Sequence, residues 1–371
     1  MSCWHEWIEA QLGAVRESQR WRQTIAFDGD GAIGRIRDRE VLNFASNDYL
    51  GLASHPAVKA AAVAAVQQWG GGSSASRLVT GTRTLHHELE AAIASWKGVE
   101  RALVFPTGYA ANLGVLQVLG HEHATIFSDE LNHASLIDGC RLAKARKVVF
   151  RHNDIEHLSS LLRASDGMKI VVTEAVFSMD GDCAPLDSLL QICIDHDALL
   201  IVDEAHALLS SLPGSDYPGY VRIGTLSKTL GALGGWVAGS RSLVDLLINR
   251  ARTFIFTTAL TPADAAAGLA ALTIYRSPEG DALRARLRGY VNQIREGHGS
   301  PIIPVILGSE SAALAASAAL LEQGLYVPAI RPPTVPPGTS RLRVVLSAAH
   351  TPEMIAQLQR ALANVINPKN D

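Results

Sequence analysis

Two short segments of this sequence combine residue types that could carry out amine and carboxylate chemistry. The apolar run ALLIVDEAH ends in a carboxylate, Asp203, which His206 follows closely. One loop and one further apolar run later, TLSK places Lys228 ahead of the glycines of LGALGG. A lysine in an apolar, glycine-rich setting can act as an amine nucleophile or form a Schiff base. A carboxylate at a buried strand end can keep a pyridinium nitrogen protonated.

Two further segments have the pattern of a strand, a turn and a helix. VFPTGYAANLG places the backbone N–H groups of Gly108 and Tyr109 at a helix start, where phosphate groups bind readily. His133 follows the run ATIFS and could stack on a flat cofactor. Taken singly, each segment is explained equally well by an ordinary strand-to-helix turn or a helix cap. Together with Asp203 and Lys228, they favour a site for lysine-linked pyridoxal 5'-phosphate (PLP).

Composition excludes several other classes of protein. The 371 residues are 47% hydrophobic, which is enough for a large core, and the net charge of -3 gives no reason to expect nucleic acid or an anionic membrane as partner. The four cysteines lack paired spacing, which predicts reduced thiols. MSCWHEWIEA has no signal-peptide pattern, so we expect a cytoplasmic protein. HEH, HH and DGD lack metal-ligand spacing, and GDGAIG is interpreted as a glycine-rich hairpin, so we predict neither a metal nor a dinucleotide.

The order of helical and strand-like segments predicts how these residues are positioned. From about residue 55, helical patterns alternate with short apolar runs, which favours a mostly parallel sheet covered by helices on both faces. We predict an N-terminal helix (to about residue 24) and hairpin over 1–54, a large α/β domain over 55–279 and a small α+β domain over 280–371. Strands are expected in PIIPVIL, YVPAI and LRVVLSA of the small domain, with helices over 312–323 and 352–365.

These segments resemble the α-oxoamine synthases, which are fold-type I PLP enzymes. The resemblance spans almost the whole chain and rests on VLNFASNDYLGL, VVTEAVFSMDGDCAPL, IVDEAH, LSKTLGALGG and AIRPPTVPPGTSRLRVVLSAAH. Enzymes of this family join an amino acid to an acyl thioester with loss of CO2. FSMDGDCAPL and the last segment most resemble the member of the biotin pathway. That resemblance implies condensation of L-alanine with a pimeloyl thioester, carried by coenzyme A or by acyl carrier protein.

The resemblance also implies roles for individual residues. Lys228 would carry PLP and shuttle the substrate α-proton, Asp203 would pair with the pyridine nitrogen, and His133 would stack on the ring. A homodimer with shared active sites would be the functional unit. The remaining implied residues are Ser178 and His206 at the phenolic oxygen; Gly108, Tyr109, Thr225 and, towards the neighbouring subunit, Thr257 and Thr258 at the phosphate; Arg343 at the amino-acid carboxylate; and Arg22, Asn47, Arg331 and Thr334 at the acyl substrate.

Three alternatives stay open at this level. A sibling synthase would use glycine or serine with another acyl-CoA, and selection of one methyl group is worth only about 1–3 kcal/mol. A different PLP reaction on the same fold, such as transamination, would not release both CO2 and a free thiol. A non-catalytic scaffold subunit would be expected to lack the lysine or the aspartate. The segment 207–227 is shorter than in the family. The resemblance therefore predicts the choice of acyl chain less well than it predicts the other properties.

Overall fold

The computed structural model describes residues 2–18 and 20–366. The strands, in chain order, are β1 (Phe27–Asp30), β2 (Ile33–Ile36), β3 (Arg39–Asn43), β4 (Arg101–Phe105), β5 (Ala124–Asp129), β6 (Arg146–Phe150), β7 (Met168–Glu174), β8 (Ala198–Asp203), β9 (Tyr220–Thr225), β10 (Gly235–Gly239), β11 (Ile302–Gly308), β12 (Leu325–Tyr326), β13 (Ala329–Ile330) and β14 (Ser340–Val345). The helices are α1 (Cys3–Glu17), α2 (Pro56–Trp69), α3 (Thr84–Lys97), α4 (Gly108–Leu119), α5 (Ala134–Leu142), α6 (Ile155–Arg163), α7 (Leu186–Asp195), α8 (Arg241–Arg250), α9 (Arg252–Ile255), α10 (Pro262–Tyr275), α11 (Pro278–Ile294), α12 (Glu310–Glu322) and α13 (Pro352–Ile366), and a 3-10 turn covers Leu52–Ser54.

Contacts divide the chain into two units that differ from the predicted parts. The middle unit runs from Asn47 to Pro301, and the end unit combines the chain up to Ser46 with the chain from Ile302. The predicted boundary at residue 280 falls later in the structure because α11 packs against α10 of the middle unit. The N-terminal hairpin belongs with the C-terminal part because β3 and β12 pair in parallel. That long-range pairing leaves no local mark in the sequence.

The middle unit is built on a mostly parallel sheet. In its described part, seven strands lie in the order β4-β10-β9-β8-β7-β5-β6, and β10 alone runs antiparallel to its neighbours. Alternate residues of one strand face opposite sides, so Ile126 and Phe127 of β5 enter two different apolar clusters. Helices cover both clusters, which explains why the central strands β7 and β8 are largely buried. The predicted α/β architecture is confirmed.

The end unit has the predicted α+β character. Its strands form two sheets, in the orders β1-β2-β3-β12 and β11-β14-β13. In the first hairpin, Gly29 lies opposite Gly34, and a Cβ on Gly34 would come within 2.3 Å of the Phe27 ring. Close approach therefore requires these glycines, and the interpretation of GDGAIG as a hairpin is confirmed. The predicted strand YVPAI is split into β12 and β13 at Pro328, which has no N–H to donate.

The N-terminal helix is shorter than predicted. It ends at Glu17 instead of near residue 24, with Ser18 as its C-cap. The apolar residues at helical spacing stop at Val15, so beyond that point no apolar face supports a helix. Within the ranges that the structure describes, no helix is both long enough and apolar enough to cross a bilayer.

Candidate active site

The carboxyl ends of three parallel strands meet at one edge of the middle sheet. β7 ends at Glu174, directly opposite Asp203 at the end of β8. Asp203 in turn lies opposite Ile223 of β9, and the chain continues from β9 into the loop that carries Lys228. Open α/β sheets bind their ligands at this edge. The carboxylate and the amine therefore follow neighbouring strands of the same edge.

Lys228 is hydrogen-bonded to a buried histidine. Its Nζ lies 2.8 Å from Nε2 of His206, and Nδ1 of the same ring lies 2.5 Å from the hydroxyl of Tyr49. That hydroxyl also donates to Oδ1 of Asn47 at 3.2 Å. Tyr49 and His206 are 0% and 3% exposed, so bulk water does not compete for these hydrogen bonds. Sequence reasoning missed Tyr49, whose only signal is its place in the DYLGL segment.

Two donors orient the carboxylate of Asp203. The side-chain amide of Asn112 donates to Oδ2 at 2.7 Å, and the backbone N–H of Ala205 donates to Oδ1 at 2.9 Å. Asn112 uses its amide nitrogen a second time, for Oγ of Ser135 at 2.9 Å. Oγ of Ser135 lies 2.7 Å from Nδ1 of His133. The network therefore connects Asp203 to His133 through Asn112, a residue that sequence reasoning also missed.

The ring of His133 caps helix α5. Its Nδ1 accepts the backbone N–H of Ser135 at 3.2 Å, so the proton of the neutral imidazole lies on Nε2. Burial lowers the pKa of His133, the Asp203 charge raises it and the Lys228 charge lowers it, with a net decrease. The ring is therefore uncharged at neutral pH. An uncharged flat ring held at this position suits stacking on an aromatic ligand.

Glu174 adds a second carboxyl group to this edge. It is 2% exposed, and among the described residues its Oε1 has no hydrogen-bond partner. Burial raises the pKa of Glu174 well above its usual value and the nearby Asp203 raises it further, while Lys228 and backbone hydrogen bonds act in the opposite direction. The raised pKa favours the protonated form of Glu174, which limits the negative charge beside Asp203.

A backbone cradle lies at the start of helix α4. A Cβ on Gly108 would lie 3.2 Å from Cβ of Thr225, and one on Gly235 would lie 2.6 Å from the backbone nitrogen of Gly108. The two glycines thus allow the turn before α4 to approach β9 and β10 closely. The N–H groups of the first helical turn have no intrahelical acceptor and attract anions. Tyr109 is the second residue of α4, and its hydroxyl donates to the carboxylate of Asp138.

The arrangement fits PLP. The pyridine nitrogen needs a carboxylate, which Asp203 supplies in a buried setting, and the aldehyde needs the amine of Lys228. The phosphate needs N–H donors, which the first turn of α4 provides beside Gly108. His133 supplies an uncharged ring that can cover one face.

An ion-pair clamp holds the segment that carries Ser178. Ser178 is 8% exposed and follows β7 in a turn closed by Gly181, whose φ of 66° suits glycine. The DGD segment is therefore a glycine-centred turn. His152 bridges the turn to the sheet, because its Nε2 lies 2.7 Å from Asp182 and its Nδ1 lies 3.0 Å from Asp129.

The clamp predicts a specific pH dependence of stability. Burial lowers the pKa of His152, but hydrogen bonds and charges from Asp129 and Asp182 outweigh it and raise the pKa to about 10. The ordinary value is about 6.5, so the stabilisation is complete below about pH 6.5 and is lost as the pH rises through about 10. We expect His152→Gln to lower the free energy of unfolding by about 2 kcal/mol at pH 6, as measured by urea titration.

The matched control is His123→Gln, because the side chain of His123 is 81% exposed. This variant should leave the unfolding curve unchanged at pH 6. The difference between wild type and His152→Gln should shrink steadily between pH 7 and 10.5, and a difference independent of pH would contradict a charged clamp.

A buried ion triad lies directly behind Asp203. The carboxylate of Glu204 accepts from Nζ of Lys97 at 2.6 Å and from Nε of Arg222 at 2.5 Å. The side chain of Glu204 is 1% exposed, and the ammonium of Lys97 also lies 3.5 Å from the ring centre of Trp96. The triad anchors the end of β8 and therefore the carboxylate that precedes Glu204.

The other predicted site residues lie elsewhere in the chain. Thr257 and Thr258 lie between α9 and α10 of the middle unit. In the end unit, Arg343 is a buried residue of β14, and the loop between β13 and β14 carries the remaining predicted pair. That pair is Arg331 and Thr334. The guanidinium of Arg331 donates to the carbonyl of Trp21 at 3.3 Å. Arg22 follows α1 and is exposed. The substrate-binding roles of these residues stay predictions.

Comparison with known proteins gives a consistent assignment. A sequence model of the family "Aminotransferase class I and II" matches residues 39–362. A curated 8-amino-7-oxononanoate synthase from Anaeromyxobacter dehalogenans is 46% identical over 97% of this chain and 96% of the relative. A variant serine palmitoyltransferase from S. paucimobilis, solved with bound PLP and myriocin, is 29% identical with a TM-score of 0.87 and covers 98% of this chain and 99% of its own.

The 8-amino-7-oxononanoate synthase from Francisella tularensis provides a solved structure with 29% identity and a TM-score of 0.72, covering 88% of this chain and 97% of its own. These matches confirm the fold-type I architecture and dependence on PLP. The chain belongs to the aminotransferase class I and II family and, within it, to the 8-amino-7-oxononanoate synthases, which are PLP-dependent acyltransferases.

Proposed function

We propose that this protein condenses L-alanine with a pimeloyl thioester, with loss of CO2 and free thiol, to give 8-amino-7-oxononanoate for biotin biosynthesis. The observation that carries this proposal is the hydrogen bond between Nζ of Lys228 and His206 at the sheet edge where Asp203 is buried. An amine with a proton-exchanging neighbour, next to a buried carboxylate, suits PLP chemistry on an amino acid.

The proposed roles follow from the chemistry of each side chain. When bound, PLP supplies an aldehyde that condenses with amines and a ring that withdraws electrons from the α-carbon. Lys228 holds the cofactor at rest and, as a free amine during turnover, removes the α-proton of alanine and later returns a proton. Asp203 keeps the pyridine nitrogen protonated. His133 covers one face of the ring and excludes water from the reacting carbon.

The cofactor is proposed to be held at both of its polar ends. Ser178 and His206 hydrogen-bond near the phenolic oxygen. The backbone of Gly108 and Tyr109 and the hydroxyl of Thr225 bind the phosphate, while Thr257 and Thr258 reach the phosphate of the neighbouring subunit in a homodimer.

The substrate contacts are proposed from chemistry and from the family pattern. The guanidinium of Arg343 binds the amino-acid carboxylate, because it can donate two parallel hydrogen bonds. The acyl substrate is bound by Arg22, Asn47, Arg331 and Thr334. Its carrier is coenzyme A or acyl carrier protein, and the reaction takes place in the cytoplasm.

The amino-acid half of the reaction can be tested by absorbance. Purified protein loaded with PLP should show a visible band that L-alanine shifts at low millimolar concentration, with glycine and L-serine shifting it much less. Adding pimeloyl-CoA to the alanine-treated enzyme should then release CO2 and free thiol in equal amounts. Thiol release is measured with a chromogenic disulfide, and CO2 with L-alanine labelled in the carboxyl group.

The control is the same enzyme with acetyl-CoA in place of pimeloyl-CoA. A band that responds to glycine or serine but not to alanine would indicate a sibling synthase. Thiol release without CO2 would contradict decarboxylative condensation, and a protein that takes up no PLP would support a scaffold role instead.

A further inference from the structure

The buried hydroxyl of Tyr49 adds a third member to the contact between Lys228 and His206. We propose that Tyr49 is a positioning residue, which holds the His206 imidazole and lets its tautomer follow the protonation of Lys228. The inference rests on the proposed role of Lys228 as the proton-transferring amine. The contact that supports this role is with His206, whose Nδ1 lies 2.5 Å from the phenolic oxygen.

Hydrogen bonds and close packing constrain the loop around Tyr49. The carboxylate of Asp48 accepts the backbone N–H groups of Leu52 at 2.9 Å and Ala53 at 3.1 Å, which closes the turn after Tyr49. The loop that follows Lys228 packs directly on this turn, since a Cβ on Gly231 would lie 2.3 Å from the nitrogen of Ala53. Tyr49 is therefore fixed relative to the lysine loop, and its hydroxyl cannot move away from His206 without disturbing both.

Proton counting shows why a phenol suits this position. A phenol has one proton to donate and an oxygen that also accepts. With a neutral Lys228 amine, Tyr49 donates to Nδ1 of His206, and the Nε2–H of the ring donates to Nζ. When Lys228 is an ammonium, its Nζ donates to Nε2 of His206. The ring proton then lies on Nδ1 and is donated to the oxygen of Tyr49, whose own proton is donated to Asn47. The two states differ by one proton on Nζ and by the tautomer of His206, and Tyr49 supports both.

The titratable groups that face Lys228 come from other elements. Asp203 ends β8, Glu174 ends β7 and His133 precedes α5, and electrostatic interactions connect these groups. Each faces the amine or its neighbours whichever tautomer His206 adopts. Tyr49 is different because its contact is with the ring nitrogen on the far side of His206 from Nζ.

Tyr49→Phe tests the proposal in the holoenzyme. It removes one oxygen and leaves Nδ1 of His206 without this partner. Because the ammonium state needs the Tyr49 oxygen as an acceptor for the Nδ1–H of His206, losing that oxygen should disfavour this state. We expect kcat to fall about tenfold while KM for L-alanine changes less than about twofold. The acidic limb of the kcat–pH profile should move about half a unit lower.

The matched control is Tyr217→Phe, which also removes a hydrogen-bonded phenol of the middle unit, here bonded to the carbonyl of Ala198 at 2.9 Å. It should leave the pH profile unmoved. In a double-mutant cycle, Tyr49→Phe should change kcat little in the His206→Asn background, because the effect of Tyr49 is transmitted through the His206 ring. The proposal would be overturned if the effects of the two substitutions on kcat multiplied independently, or if Tyr49→Phe left the kcat–pH profile unmoved.

A second measurement uses the wild-type protein without PLP, so its result does not depend on whether a variant folds. In the PLP-free wild-type protein with 15N-labelled histidine, the His206 ring proton should move from Nδ1 to Nε2 as Lys228 loses its proton with rising pH. A proton that stays on one nitrogen across the titration would overturn the proposal. Failure of the wild-type enzyme to bind PLP or to use alanine would instead overturn the proposed function, so the two failures are distinguishable.

Discussion

Lys228→Ala is expected to lower kcat roughly 10^4-fold, because one side chain supplies both the covalent anchor for PLP and the amine that moves the α-proton. The variant should still bind PLP without the band of the lysine-linked form, since Asp203 and the cradle at Gly108 are unchanged. Added methylamine should restore part of the activity, because a small amine can occupy the space that the lysine side chain leaves. Steady-state release of free thiol from pimeloyl-CoA measures the effect.

Lys169→Ala is the matched control for this experiment. Lys169 lies near the start of β7, at the end opposite Glu174, and its Nζ donates to the neighbouring carbonyl of Gly167 at 3.3 Å. Its removal should leave kcat within about twofold of wild type. If Lys228→Ala keeps more than about a tenth of the activity, another group transfers the proton and the assignment of Lys228 is wrong.

Glu204→Gln is expected to lower the free energy of unfolding by about 3–5 kcal/mol. The substitution keeps the shape of the side chain but leaves Lys97 and Arg222 without a countercharge, and their side chains are only 5% and 10% exposed. Burial already lowers the pKa of Lys97 while Glu204 raises it, so the lysine should lose its proton more readily in the variant. Urea unfolding followed by circular dichroism measures the loss.

Asp281→Asn breaks a surface ion pair with Arg284 and serves as the comparison. The Asp281 side chain is 74% exposed, so its loss should cost less than about 1 kcal/mol. Adding Lys97→Met to Glu204→Gln should recover part of the lost stability, because one uncompensated cation is removed. A cost below about 1 kcal/mol for Glu204→Gln alone would show that the triad is not the anchor of this strand end.

The candidate site could be predicted from sequence where the signal is local. Asp203 and Lys228 follow apolar runs that form adjacent strands, and their order along the chain reflects their order in the sheet. Asn112 and Tyr49 could not be found in this way. Each reaches its partner across a long stretch of chain, Asn112 to Asp203 and Tyr49 to His206, and a helix position or a loop tyrosine has no distinguishing pattern of its own.

The fold shows the same division between local and distant information. Alternation of helices and strands is a short-range property, and the predicted helices and strands of the middle unit are present. The direction of β10 and the pairing of β3 with β12 depend on segments far apart in sequence. The predicted helix to residue 24 was too long because amphipathic spacing gives no information on where the C-cap falls.

The antiparallel strand β10 also determines when the site can assemble on the ribosome. Within the described residues, β4 pairs with β10 alone, and the chain between them must be made before that pair can form. At about 5–20 residues per second, synthesis of this stretch takes on the order of ten seconds. Because Gly235 of β10 packs on the turn at Gly108, the phosphate cradle is completed only then. A nascent chain therefore acquires its full capacity for cofactor late in translation of the middle unit, after the parallel strands have emerged.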